Sequence, residues 1–132
     1  MFAQFPKKRP PLPQEIAQIY VRWYRENREG GSAAASAAQA VEAWLHRQVA
    51  ADLWPGASGV STLELGAGTL NQLGFEPACG PYDIVEPFAE LFRDSPALAR
   101  VRHVHADIRE VPAAARYDRI TSSAVLEHLC DL

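Results

Sequence analysis

The chain has 132 residues, a formal net charge of −3, 48% hydrophobic and 22% charged residues. That suits one ordinary globular domain, or part of one, with a single modest core. It excludes a nucleic-acid binder that works through bulk positive charge, and no apolar run approaches the ~20 residues a membrane span needs.

Residues 1–13 carry Pro6, Pro10, Pro11 and Pro13 around the basic run Lys7-Lys8-Arg9, and read as an extended surface arm without the apolar stretch of a secretory signal. Pro13 suits the start of a helix in which Ile16, Ile19, Tyr20 and Trp23 recur at helical spacing until Gly30-Gly31 ends it. Ser32 caps a second, alanine-rich helix with Val41, Trp44, Leu45 and Val49 in its stripe, stopped by Pro55-Gly56. Residues 14–56 thus read as a two-helix hairpin ahead of the first strand, and Tyr20, Trp23 and Trp44 are expected mostly in core packing.

Residues 57–132 read as an alternating unit. A buried strand over 60–66 runs into the turn Gly66-Ala67-Gly68, with Glu64 two residues before it. Gly74, Pro77, Gly80 and Pro81 leave room for at most two helical turns, around Leu70 to Phe75. A second strand, 82–85, closes on Glu86-Pro87, and a short amphipathic helix is expected over 88–94. A third strand, 101–106, ends at Asp107-Ile108, and a polar loop follows over 108–116. A fourth strand, 117–122, ends at Ser122-Ser123, and Val125 opens a last helix. The pattern predicts an α/β fold with a parallel sheet whose ligand lies beyond the carboxyl ends of the strands. Gly66/Gly68, Glu86, Asp107 and Ser122/Ser123 each close one strand there.

Glycine-loop amides entering a helix favour an anion. Glu86 suits a carboxylate that accepts both hydroxyls of a ribose, Asp107 one that accepts from an adenine amine, and Glu64 a charge near a ligand amine. A dinucleotide fingerprint would place glycine at Asn71 and has no use for an acid at Glu64. A nicotinamide-binding protein is therefore the weaker alternative, and an adenosyl amino acid suits the pattern better.

Residues 62–132 resemble the class I S-adenosylmethionine-dependent methyltransferases, a Rossmann-like family. The resemblance rests on Glu64-Leu65-Gly66-Ala67-Gly68, Val85-Glu86, Ala106-Asp107-Ile108 and Tyr117-Asp118-Arg119-Ile120 followed by Val125-Leu126-Glu127-His128-Leu129. It implies an enzyme with S-adenosylmethionine as cofactor and S-adenosylhomocysteine as product. The two unpaired cysteines suit a reducing cytoplasm, and the near-neutral charge leans towards a small molecule or sugar as methyl acceptor, with neither nucleic acid nor membrane as partner. The resemblance implies cofactor contacts from Glu64, Gly66, Ala67, Gly68, Glu86, Pro87, Asp107, Ile108 and Ser123, and a cap formed by the N-terminal helices. His128, with Glu127 behind it, is the candidate base; capping or packing of the last helix is the other reading of the pair.

The family often has a third glycine where this chain has Leu70, so the turn is expected to differ there. The family's sheet has seven strands in the order 3-2-1-4-5-7-6, and four of them precede Leu132. The expected order is therefore 3-2-1-4, with strand four as an apolar edge that pairs with a second copy or with a missing C-terminal half. A truncated, inactive binding or interaction module is the main alternative to an active enzyme. His103 and His105 share a strand face without a third ligand, so no metal site is expected, and Ser122-Ser123 lacks the surroundings of a nucleophile. Asp118 opens its strand at the far end from the site and reads as structural. Cys79 and Cys130 read as free thiols.

Overall fold

The computed structural model describes residues 13–29, 33–53, 57–77, 80–123 and 125. The expectations for residues 1–12, Cys79, Glu127, His128 and Cys130 lie outside the described residues. Two helices, α1 (Gln14–Glu29) and α2 (Ala33–Ala50), precede four strands, β1 (Thr62–Leu65), β2 (Tyr82–Val85), β3 (His103–His105) and β4 (Arg119–Ser122). The strands form one sheet in the order β3-β2-β1-β4, and every pairing is parallel. The fold is α/β, as the alternating pattern predicts, and no described helix is long and apolar enough to cross a membrane.

The crossovers differ from expectation. No α-helix forms over 88–94; a single 3₁₀ turn, Ala89–Leu91, gives way to irregular turns. The other connections hold 3₁₀ turns at Asn71–Gly74, Pro96–Arg100 and Ile108–Glu110. Nucleating an α-helix fixes several residues for one hydrogen bond. These segments are too short to recover that cost, so they stop at 3₁₀ geometry. The strands are likewise shorter than the runs 60–66, 101–106 and 117–122, although single ladder-like bonds continue past their ends. Gly66 N–H donates to Val85 O at 2.8 Å, and Glu86 N–H to His105 O at 2.8 Å.

Alternation and register sort the side chains. Thr62 pairs with Tyr82 and Arg119, and Glu64 with Ile84 and Thr121, so these six share one face. The core lies on that face: Tyr82 and Ile84 pack with Ala67, Leu70, Leu73 and Phe92, flanked by Ala97, Leu98 and Val101. Leu63, Asp83, Val85, His103, His105 and Ile120 face the other way.

A buried polar chain fastens α2 to the core face. His46 Nδ1 lies 2.7 Å from Gln72 Oε1, and Gln72 Nε2 donates to Glu76 Oε1 at 2.7 Å. Arg119 Nη1 donates to Glu76 Oε2 at 2.8 Å, and its Nη2 returns to Val49 O on α2 at 2.6 Å. His46 also stacks on Phe75, with ring centroids 5.2 Å apart. Of the cap aromatics expected in core packing, Tyr20 is half-buried and packs on Phe88 at 5.3 Å, outside the core cluster. The expectation fails for Trp23 and Trp44, which are 60% and 55% exposed. The inward face of α2 is instead built on Glu42, Ala43, His46 and Val49, so polar groups occupy the docking stripe and Trp44 points away from it.

Candidate functional site at the carboxyl edge of the sheet

The site begins where β1 ends. Gly66 and Gly68 have φ of 72° and 53°, the left-handed conformation in which a Cβ is unfavourable. A Cβ on Gly66 would also lie 2.1 Å from Val125 Cγ2, so the segment after β4 rests directly on the turn. Leu70 adopts the same left-handed region, with φ 65° and ψ 27°, while its side chain is 1% exposed. The loop therefore keeps a glycine-like backbone at the position where a different turn was expected. Strain of ~1–2 kcal/mol is held in place by burying the leucine.

Glu86 organises the loop. It is 7% exposed; its Oε2 accepts from Gly68 N–H at 2.9 Å and its Oε1 from Phe88 N–H at 3.0 Å. The acid at the end of β2 thus ties the β1 turn to the β2 turn across the sheet edge. Each oxygen keeps a second lone pair, so the carboxylate retains acceptor capacity. This corrects the expected anion cradle. Gly66 and Gly68 donate their N–H groups internally, and the loop enters a four-residue 3₁₀ turn in place of a helix with a dipole.

Glu64 is 6% exposed on the core face and accepts from Tyr82 Oη–H at 3.0 Å. Burial pushes its carboxyl up to about 7; the Tyr82 hydrogen bond opposes that shift and the Glu76 charge adds to it. Burial, with Glu64 and Glu76 adding to it, also pushes the Tyr82 hydroxyl up. Thr121 pairs with Glu64 in the β1–β4 register, and its Oγ1 is buried without a hydrogen-bond partner among the described residues. Neither Tyr82 nor Thr121 stands out in the sequence. Two-residue alternation beside Glu64 would point to both once the register is known.

Of the other named residues, Ala67 is 6% exposed and joins the hydrophobic core. Pro87 and Ser123 are exposed at the ends of β2 and β4, and Ile108 is 50% exposed after β3. Asp107 caps the turn that follows β3: its Oδ1 accepts from Arg109 N–H at 2.9 Å, and its carboxylate pairs with the Arg109 guanidinium. The structure brings Glu64, Gly66, Gly68 and Glu86 to the same end of adjacent strands, with Asp107 two strands from the glycine turn. Asp118 lies at the opposite end, where it accepts from Ser61 N–H at 2.8 Å and Ser61 Oγ–H at 2.7 Å and splices β4 to β1. No group of three or more metal-ligating side chains occurs among the described residues.

Compared with protein-family models, curated proteins and solved structures, the chain matches none.

Proposed function

We propose that the chain is the Rossmann-like cofactor-binding part of an S-adenosylmethionine-dependent methyltransferase. The observation that carries this reading is the sheet order together with the Glu86–Gly68 link. In the order β3-β2-β1-β4 the chain leaves β1 toward one side and reaches β4 on the other. The crevice at such a reversal is where open parallel sheets take ligands. Gly66-Ala67-Gly68 and Ser122-Ser123 lie at the ends of the two strands beside that reversal, and Glu86 stands at the neighbouring strand end.

The residues suit the cofactor's chemistry. Glu86 has lone pairs to spare for ribose hydroxyls. Glu64, its Oε2 taken by Tyr82, would meet an amine through Oε1, and Thr121 holds a hydroxyl that lacks a partner among the described residues. Tyr20 of α1 packs on Phe88, which brings the cap to the same edge. Bound there, the cofactor supplies a sulfonium methyl for in-line transfer to a nucleophile. The chain's own part is to orient the adenosyl group and shield it from water. Asp107 and Ile108 would meet the adenine and Pro87 the ribose edge, with Ser123 contributing backbone. His128 is the proposed base. A small-molecule or sugar acceptor and a cytoplasmic setting belong to the same proposal.

A second reading, a binding module without turnover, is favoured by β4. Its outer edge has no strand partner among the described residues, and Ile120 on it is 63% exposed. Under that reading the edge pairs with strands of a second copy or of a longer chain.

Calorimetric titration with S-adenosylmethionine, S-adenosylhomocysteine and NAD tests the assignment. Heat with the first two and none with NAD is the expected result, abolished by Glu86→Ala. Silence with both adenosyl ligands overturns it. Methyl transfer to any acceptor would eliminate the second reading.

A further inference from the structure

A second site lies on the sheet face opposite Glu64. A cleft of about 220 Å³ opens over β2 and β3, with Arg102, His103 and His105 along one side. Its floor is Asp83, 1% exposed, and Pro112, Ala115 and Tyr117 form the other wall.

Asp83 acts as a buried clamp. Arg102 Nε and Nη2 donate to its two oxygens at 2.9 and 2.7 Å, Tyr117 Oη–H donates at 2.8 Å, and His103 Nδ1 lies 3.3 Å away. Burial alone would raise the Asp83 carboxyl, but these hydrogen bonds outweigh it and hold it at about 2. The carboxylate is thus fully used within the protein and fixes the groups around it. Arg102 keeps Nη1, and His103 keeps Nε2. The His105 ring, 6.4 Å from that of His103, has no hydrogen-bond partner among the described residues. A guanidinium edge and two imidazoles, all capable of donating, line one small cleft beside an apolar wall.

We propose that this cleft binds a phosphate monoester, the phosphate held by Arg102, His103 and His105 and the ester body against Pro112 and Ala115. The Arg102 N–H groups that Asp83 leaves over can donate to phosphate oxygens, as can ring N–H groups of the imidazoles. Asp83 fixes Arg102 in place, so its remaining N–H groups and the two imidazoles present one preset array to a phosphate. The site does not depend on the methyltransferase reading, since no residue is shared.

The probe is inorganic phosphate, added to 15N-labelled protein at constant ionic strength while the histidine ring resonances are followed. His103 and His105 are assigned from His103→Gln and His105→Gln. The expected result is saturable movement of both, with His46 on the core side unmoved and affinity at least tenfold weaker in His105→Gln. That variant leaves the Asp83 bonds to Arg102 and Tyr117 in place, and an unchanged thermal unfolding midpoint is required of it. Non-saturating shifts, shifts equalled by acetate or chloride, or unchanged affinity in both variants would overturn the proposal.

Discussion

At the residue scale, Leu70 and Glu64 each hold an unfavourable state that their surroundings impose. Leu70 combines a left-handed backbone with a fully buried side chain. Truncation to alanine removes packing worth ~2–5 kcal/mol and leaves the strain, whereas glycine removes both. Leu70→Gly should therefore be at least as stable as Leu70→Ala in urea unfolding. The ordinary order, alanine ahead by ~1 kcal/mol, would show that φ is not positive there. Glu64 has a carboxyl raised from 4.5 to about 7 by burial. Between those values the folded state holds a proton that the unfolded state has released, so stability falls as pH rises from about 4.5 through 7. Glu64→Gln keeps an acceptor for Tyr82 and removes the charge. It should flatten that decline and exceed the wild type at pH 8 by roughly 2–3 kcal/mol. Parallel pH profiles for the two proteins would contradict the burial of an ionisable Glu64.

At the element scale, α2 is held to the sheet by polar links where a helix usually docks through an apolar stripe. The Glu76–Arg119 pair is nearly dry, with side chains 2% and 9% exposed, and Arg119 also reaches Val49 O. Removing one partner strands a buried charge. Arg119→Met should cost about 3–5 kcal/mol, and Arg119→Met with Glu76→Leu distinctly less than the sum of the single changes. Urea unfolding of the three variants checks this, and strict additivity would mean that the pair is not coupled. The same link explains what the sequence hid. Arg119 and Glu76 are 43 residues apart, one on β4 and the other in the connection after β1, and only the folded chain makes them neighbours. The strands were legible because short apolar runs ended by Gly, Glu-Pro or Asp leave few alternatives, whereas their order was an expectation from the resemblance alone. The crossovers were not. Phe88, Leu91 and Phe92 have helical spacing, but seven residues ending in Asp94-Ser95-Pro96 cannot meet the cost of nucleation.

At the scale of the whole molecule, the same rules placed Glu64, Gly66, Gly68 and Glu86 at one sheet edge but could not place the surface. Periodicity marks an apolar stripe without saying what covers it, which is why Trp44 was expected inside and is found 55% exposed. A related question attaches to β4. It carries Ile120, 63% exposed, on a strand paired on one side only among the described residues. Parallel sheets are usually covered on both faces, and an apolar edge strand offers unpaired backbone groups to any strand that approaches. Association of copies through this edge should therefore appear as a concentration-dependent rise in sedimentation coefficient across the micromolar range. Ile120→Lys places a charge that a second strand would have to bury, so it should return the protein to a single monomeric species. Thermal unfolding must stay nearly unchanged for that comparison to count, and the exposure of Ile120 predicts that it will. A wild type that sediments as a monomer at all concentrations, or a lysine variant that associates equally well, would exclude β4 as the contact and shift attention to the exposed helical side chains Val41, Trp44 and Leu45.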